Sequence, residues 1–247
     1  AAGAYGFREF TLAKKGAQMG GGAANIVRQF NELAVVGDPS FISPYWIAQA
    51  APRWEDAPIR IVEYADYLCP DCLFLHQQLS RLKAEFPGKM NVAFQFFPLE
   101  AACNAVVEKD LHPGACDLSY LAAYDPARFP AFHEEIFAGY PETRKPEWRE
   151  DFARRHGLEA ALTDPAVRDM IRRIIETGAE YEKTSDRYSH GIRSTPTLII
   201  NGRMIIGTLP DAHMKAILAS LLEEQAAGPG TGRFLENWVE TKPAPKK

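Results

Sequence analysis

A short segment with the order strand, helix, strand limits what this chain can fold into. Residues 58–67, PIRIVEYADY, are rich in apolar and β-branched residues and predict a largely buried strand. The spacing of apolar residues then predicts a helix that ends at Pro87-Gly88, with one face formed by Leu75, Leu79, Leu82 and Phe86. A second strand follows at 91–99. This order predicts a βαβ unit, in which two parallel strands are joined by a right-handed crossover.

A second group of strands lies more than ninety residues further along the chain. The segment 195–209 carries Asn201-Gly202 between two apolar β-branched runs, which predicts a hairpin. A helical pattern follows it and ends at Gly228. Between the two strand groups, the pattern over about 101–191 is mostly helical. The sequence therefore predicts an α/β sheet domain over 58–225, interrupted by a helical insertion.

The ends of the chain are predicted to lie outside this domain. Residues 1–57 are interpreted as an N-terminal extension or linker with one helix, whose apolar residues recur at helical spacing: Ile26, Val27, Phe30 and Leu33. The proline- and aromatic-rich stretch that follows is expected to lie over a domain surface. Residues 226–247 are interpreted as a C-terminal tail.

Charge and hydropathy exclude two classes of partner. The formal net charge is -4, and KPAPKK at the C-terminus is the one basic run, which argues against nucleic acid because phosphate binding needs clustered Lys and Arg. No stretch approaches the roughly 18 consecutive apolar residues of a membrane span, and no signal peptide is visible. The chain begins without Met, so we expect a mature or trimmed product, and any signal or membrane anchor could have been removed with the missing N-terminus.

Cys69 and Cys72 stand where the first strand gives way to the helix. The first N–H groups of a helix lack intrahelical partners, so a thiolate at Cys69 is stabilised and its pKa falls. Pro70 suits the first helical turn. We expect Cys69 to be the exposed nucleophile and Cys72 the more buried resolving thiol. The carboxylate of Asp71, between them, opposes the thiolate and moderates this effect.

Two other features converge on the cysteine pair. Glu63 lies in the middle of the first strand, either as an edge-strand carboxylate in solvent or as a buried acid that exchanges a proton with Cys72, and its neighbours leave both interpretations open. Thr195-Pro196 stands at the start of the later strand, where proline is tolerated. A cis bond there would be a rarer feature, since only about 5–6% of X–Pro bonds in folded proteins are cis.

The main rival to a redox pair is a structural zinc site. Cys69, Cys72, Cys103 and Cys116 make four potential ligands, but the last two are too far apart for a zinc ribbon, which needs two close pairs. His112 lies in an HPG turn and is expected at the surface, and His76 is expected on the outer face of the helix. We therefore predict a redox pair and no metal, with an inert disulfide as the remaining alternative.

Three segments together resemble the DsbA-like branch of the thioredoxin superfamily: VEYADYLCPDC, FQFFPLE and GIRSTPTLIINGRMIIG. The resemblance covers about 58–225 and implies a thioredoxin fold, a central mixed sheet flanked by helices, with a helical insertion. It also implies roles for individual residues. Cys69 and Cys72 match the nucleophile and the resolving cysteine, Glu63 matches a buried acid, and Pro196 matches a cis-proline with Thr195 lining the substrate groove.

The second cysteine pair points to a narrower group. The segment FPLEAACNAVVEKDLHPGACDLSYLAAY is similar to DsbA-like domains associated with bacterial homologues of vitamin K epoxide reductase. That likeness implies a structural disulfide between Cys103 and Cys116, with a second redox relay as the alternative. The motif departs from the strongest oxidants of the family, which have histidine at Asp71 and valine at Thr195. Both departures leave the direction of electron transfer open.

The resemblance implies a thiol–disulfide oxidoreductase that uses no cofactor besides its redox-active disulfide. We expect it to donate the Cys69–Cys72 disulfide to substrate proteins with cysteine thiols, in the periplasm or another extracytoplasmic compartment. Reoxidation would come from a membrane partner of the vitamin K epoxide reductase-like or DsbB-like kind, and the full-length protein could itself be tethered to the membrane. Alternatives are a disulfide isomerase or reductase, and a non-catalytic metal-binding or binding module on the same scaffold. The sequence does not indicate an oligomeric state.

Overall fold

The computed structural model describes residues 22–182, 191–223 and 235–236. Outside them lie parts of the predicted extension, insertion and tail, namely residues 1–21, 183–190, 224–234 and 237–247.

The described residues form one mixed sheet in the order β1-β3-β2-β4-β5-β6. Its strands are β1 (Trp46–Gln49), β2 (Ile59–Ala65), β3 (Met90–Phe96), β4 (Thr197–Ile200), β5 (Arg203–Ile206) and β6 (Leu235–Glu236). β2 and β3 are parallel, and β4 and β5 continue the sheet in antiparallel pairing beyond β2. The two residues of β6, from the predicted tail, add a short parallel edge to β5.

Seven α-helices surround this sheet in the part of the chain that is described. They are α1 (Ala23–Asn31), α2 (Pro70–Glu85), α3 (Ala115–Ala123), α4 (Phe129–Ala138), α5 (Pro146–His156), α6 (Pro165–Thr177) and α7 (Asp211–Glu223). The four helices α3 to α6 fall between β3 and β4, where the sequence predicts an insertion. The α/β fold class with a helical insertion is therefore confirmed.

The βαβ unit and the hairpin form where local sequence signals place them. α2 begins with Pro70 at its first position and ends at Glu85, with Phe86 as the C-cap residue, and Gly88 follows with a φ of 67°. At the hairpin, Asn201 and Gly202 have φ values of 44° and 76°, the left-handed region that an Asn-Gly turn accommodates. The side chain of Asn201 accepts a hydrogen bond from the backbone N–H of Arg60 at 2.7 Å, which ties this turn to the start of β2.

Residues 22–57, which were interpreted as part of an extension, are a part of the folded domain in the structure. The helix is present as α1, and β1 pairs antiparallel with β3 as an edge strand. These residues belong to the domain because several of their side chains are buried against it. Tyr45, just before β1, is buried, and its hydroxyl donates a hydrogen bond to the carbonyl of Ala123 at 2.9 Å. A boundary at 57 thus falls inside the folded unit.

Buried apolar side chains form two clusters. One joins α1, α2 and α7 to the sheet, with Phe30 of α1 fully buried in it. The larger cluster joins the sheet to the helical insertion and includes Cys69 and Cys72. The cysteine pair therefore lies where the sheet meets the insertion.

Replacement of Phe30 by alanine tests whether α1 belongs to the folded domain. Since the ring is fully buried, we expect Phe30→Ala to lower the free energy of unfolding by about 3–5 kcal/mol. The matched control is Val35→Ala, because Val35 lies in the same segment and is 59% exposed; it should change stability by less than about 0.5 kcal/mol. Urea unfolding measures both, and equally small effects would mean that the segment only covers the surface.

Candidate functional site

The two cysteines lie at the junction of β2 and α2. Cys69 is the N-cap residue of α2, and its carbonyl accepts hydrogen bonds from the N–H groups of Cys72 at 3.1 Å and Leu73 at 3.2 Å. Both cysteines are free thiols. Cys72 is completely buried and Cys69 is 6% exposed. Cys69 is thus the more accessible of the two, but it is far less exposed than the sequence suggested, because the insertion and the Thr195–Pro196 segment cover it.

The two thiols differ strongly in acidity. The pKa of Cys69 is lowered to about 7, chiefly because Cys72 donates a hydrogen bond to its sulfur, while burial acts in the opposite direction. The pKa of Cys72 is raised well above its ordinary value, first by burial and then by its interactions with Cys69. Near neutral pH, Cys69 is therefore the thiol that carries the negative charge, which is the order expected of a nucleophile and a resolving cysteine.

Glu63 lies beneath the pair as a buried acid. β2 is flanked by β3 and β4, so the edge-strand interpretation of Glu63 is wrong. The side chain is completely buried, and neither carboxyl oxygen has a hydrogen-bond partner within the described part of the chain. Burial raises the pKa of Glu63 to about 8, and its charge contributes to the raised pKa of Cys72. A carboxyl group with such a pKa can hold a proton at neutral pH and release it to a neighbouring group.

The segment before β4 lies against Cys69. The Thr195–Pro196 peptide bond is cis. The thiol of Cys69 donates a hydrogen bond to the carbonyl of Thr195 at 3.4 Å, and the Thr195 side chain also lowers the pKa of Cys69. The carbonyl of Pro196 accepts a hydrogen bond from the N–H of Gly207 at 2.8 Å, just beyond the paired residues of β4 and β5. The structure thus brings together Glu63, both cysteines and the Thr195–Pro196 segment.

Asp66 and His112 lie at the same site, and neither was predicted to do so. Asp66 is 1% exposed, and its backbone N–H donates to the sulfur of Cys72 at 3.4 Å. Its carboxylate is bound to the imidazole of His112, with Nδ1 and Oδ2 2.9 Å apart. His112 was expected at the surface, but the loop after β3 brings it to Asp66 from 46 positions away. No local signal in the HPG turn indicates this contact.

Asp71 was predicted to oppose the thiolate of Cys69, but it is not among the main groups that shift the pKa of Cys69. Asp71 lies in the first turn of α2 and is half-buried. The carboxylate that raises the pKa of Cys69 is that of Asp66. The modulating role of Asp71 therefore stays a prediction.

Cys103 and Cys116 are joined by a disulfide, with their Cα atoms 5.9 Å apart. They are therefore not available as zinc ligands beside Cys69 and Cys72. Among the residues that the structure describes, no group of three or more His, Cys, Asp or Glu side chains is arranged to hold a metal ion. No helix within the same ranges is both long and apolar enough to span a bilayer.

A second buried polar group lies on the other side of α2. His76, expected on an outer helix face, is 8% exposed, and its Nδ1 lies 3.1 Å from Nε2 of His133 in α4. The other nitrogen of His133 contacts the hydroxyl of Tyr67 at 3.2 Å. Burial lowers the pKa of both histidines, so they are neutral at pH 7. The surface prediction for His76 is wrong because α4 packs against that face of α2.

Sequence comparisons with known proteins match more than half of this chain. The family model described as thioredoxin matches residues 54–220. Disulfide bond formation protein D of Bacillus subtilis (strain 168) is 28% identical over 194 residues, which cover 73% of this chain and 78% of that protein. The Na(+)/H(+) antiporter NhaA 1 of Mycolicibacterium gilvum is 28% identical over 152 residues, 60% of this chain and 22% of the antiporter. This chain thus matches only about a fifth of the antiporter's length.

Solved structures show the same fold. The crystal structure of oxidised BdbD from Bacillus subtilis has a TM-score of 0.54 at 22% identity and covers 78% of this chain and 100% of its own. A periplasmic thioredoxin-like protein from Salmonella enterica serovar Typhimurium also has a TM-score of 0.54, at 18% identity, covering 74% of this chain and 94% of its own.

The raised pKa of Glu63 should appear in the pH dependence of stability. The folded protein keeps the proton that an unfolded chain releases near 4.5, so this stabilisation is complete below pH 4.5 and is lost as the pH rises through about 8. Between these values, Glu63 should make the free energy of unfolding fall by about 1.4 kcal/mol per pH unit. Glu63→Gln should remove that slope, as measured by urea unfolding at several pH values. The control is Glu159→Gln, an exposed carboxyl; equal slopes in both variants would contradict a raised pKa at Glu63.

Proposed function

The chain belongs to the thioredoxin family, and we propose that it is a thiol–disulfide oxidoreductase that donates the Cys69–Cys72 disulfide to substrate proteins. The observation that carries the proposal is the separation of acidity between two adjacent thiols, with a pKa of about 7 for Cys69 and a raised pKa for Cys72. The name of the Bacillus subtilis relative, disulfide bond formation protein D, supports the same reaction.

In the first step, a thiolate of the substrate attacks the sulfur of Cys69 in the disulfide form. The Cys69–Cys72 bond breaks, and its electron pair passes to Cys72 as a mixed disulfide forms at Cys69. A thiolate at Cys72 is unfavourable because that sulfur is completely buried. Glu63, which is protonated at neutral pH, supplies the proton.

In the second step, another thiolate of the substrate attacks the substrate's own sulfur in the mixed disulfide. Cys69 leaves as a thiolate, the substrate gains a disulfide, and the enzyme keeps both electrons in its two thiols. A low pKa speeds departure of the leaving thiol. The value of about 7 therefore favours release of an oxidised substrate.

Substrate binding is assigned to the Thr195–Pro196 segment. It faces Cys69, whose thiol contacts the Thr195 carbonyl at 3.4 Å. An extended substrate chain that replaces this contact would hold its cysteine against Cys69. The hydrogen bond between Pro196 and Gly207 keeps the segment fixed to β5 while this happens.

An isomerase or reductase is the second candidate, and specific residues favour it. The strongest oxidants of the family have valine at the position of Thr195 and histidine at the position of Asp71. In addition, the charge of Asp66 raises the pKa of Cys69. A higher pKa of Cys69 disfavours the reduced, thiolate form and so lowers the oxidising power.

The proposed setting is the periplasm or another extracytoplasmic compartment, with reoxidation by a membrane protein of the vitamin K epoxide reductase-like or DsbB-like kind. The Cys103–Cys116 disulfide supports an oxidising compartment, and one structural relative is described as periplasmic. The match to a segment of a much longer antiporter fits a domain that can be joined to a larger protein. A non-catalytic, metal-binding role would instead be supported by stoichiometric zinc in the native, reduced protein.

Single cysteine variants test the assignment of roles. Cys72→Ser should accumulate a mixed disulfide with a disulfide-bonded protein substrate, because Cys69 attacks the substrate disulfide, one substrate thiolate leaves, and the Cys72 thiol that would resolve the adduct is missing. Cys69→Ser should form none and should lose exchange activity. Non-reducing electrophoresis and mass spectrometry identify the adduct. A Cys69→Ser variant that oxidises reduced substrate as fast as the unaltered protein would refute the proposed function.

The reduction potential of the Cys69–Cys72 pair separates the two candidate directions. Equilibration with glutathione buffers, followed by quantification of both redox forms, gives this value. A pair that donates its disulfide, as proposed, should have a potential above that of thioredoxin, about -270 mV. A value at or below that of thioredoxin would favour the reductase.

A further inference from the structure

Asp66 places a second carboxyl group at the cysteine pair, three residues after Glu63. It is 1% exposed and close to both thiols, since its carbonyl accepts the N–H of Cys69 at 3.1 Å and its own N–H donates to the sulfur of Cys72 at 3.4 Å. Unlike Glu63, its carboxyl oxygens are well supplied with donors. The N–H groups of Leu68 and Leu99 each donate to them at 2.6 Å.

A negative charge at this place opposes the reaction assigned to Cys69. The charge of Asp66 raises the pKa of Cys69, as like charges do when they share a site. A cation that balances the charge of Asp66 would therefore further favour the thiolate at Cys69.

His112 is in position to provide that balance. Its Nδ1 donates to Oδ2 of Asp66 at 2.9 Å, and the side chain is 14% exposed. Burial alone would lower the pKa of His112, but the hydrogen bond to Asp66 and the charge of Asp66 outweigh it, so the pKa is raised. The charge of Cys69 raises it further, and that of Arg144 opposes. Electrostatic coupling is reciprocal, so the imidazolium favours the thiolate.

The loop that carries His112 is fixed at several points. The N–H groups of Leu111 and His112 both donate to the carbonyl of Leu99, at 3.0 and 3.1 Å. The Cys103–Cys116 disulfide closes the same loop, and the N–H of Cys116 donates to the side chain of Glu100 at 2.8 Å. His112 thus approaches Asp66 from a loop whose two ends are held together.

We propose that His112 is a positioning residue whose cation neutralises Asp66 and thereby stabilises the thiolate of Cys69. The cation comes from the loop between β3 and α3, outside the Cys69–Cys72 motif. The proposal rests on the proposed function only in that Cys69 is the reacting thiol, and it concerns the acidity of that thiol in the isolated protein.

The first experiment measures the rate of alkylation of Cys69 by iodoacetamide, in the reduced protein, as a function of pH. The midpoint of this profile reports the pKa of the thiol. His112→Gln should move the midpoint upward, and a midpoint that is higher by about one pH unit should slow alkylation about tenfold at pH 6. The reduction potential should become more negative in the same variant. His156→Gln is the matched control, because His156 pairs with Glu135 at 2.8 Å between α5 and α4 and is not part of the cysteine site.

The double variant Asp66→Asn/His112→Gln separates charge from loop structure. It removes both charges, so the alkylation midpoint should return toward that of the unaltered protein. A midpoint as high as that of His112→Gln alone would overturn the proposal, as would an unchanged midpoint in His112→Gln.

An NMR titration of His112 in the unaltered protein avoids any loss of folding in these variants. The Cys69 thiolate exists only in the reduced protein, so the pKa of His112 should be higher there than in the disulfide form. Equal titration midpoints in the two forms would overturn the proposal. These readouts do not depend on turnover: a protein that exchanges no disulfides but shows both changes would contradict the proposed function and leave this inference standing.

Discussion

Two carboxyl groups are buried beside two thiols at the end of one strand, and this constraint shapes the rest of the site. Glu63 has no hydrogen-bond partner among the described residues, so burial favours its neutral form. Asp66, three residues later, has two backbone donors and a histidine. The same type of side chain is thus placed in two opposite environments within one short segment. One can supply a proton and the other sets the local charge, a division by which neighbouring carboxyl groups take different roles.

The fold supplies these environments from distant parts of the chain. β2 is central in the sheet because β3 and β4 flank it, which buries Glu63. The loop after β3 supplies both Leu99 and His112 to Asp66, and the segment before β4 supplies Thr195 to Cys69. The motif alone contains two thiols at a helix start. Their difference in acidity depends on contacts that only the complete domain provides.

The sequence correctly predicted the structural elements that depend on interactions between residues close together in the chain. Pro70, the apolar face of α2 and the Asn201-Gly202 turn each act over a few residues, and each is found where it was predicted. The edge strand β1 was missed because its four residues gain their stability from pairing with β3, more than forty residues away. The contacts of His112 were missed for the same reason. A histidine in an HPG turn carries no sign of the carboxylate that it will meet.

The origin of His112 bears on how the residues between the cysteines are interpreted. A histidine between the two cysteines stabilises the thiolate from within the motif, and Asp71 in that place argues for weaker oxidation. If a cation reaches the site from the β3–α3 loop instead, the pKa of Cys69 no longer depends only on the residue between the two cysteines. In the proposal made above, Asp66 opposes the thiolate and His112 offsets Asp66, so the acidity of Cys69 depends on the sum of these charges and not on Asp71 by itself.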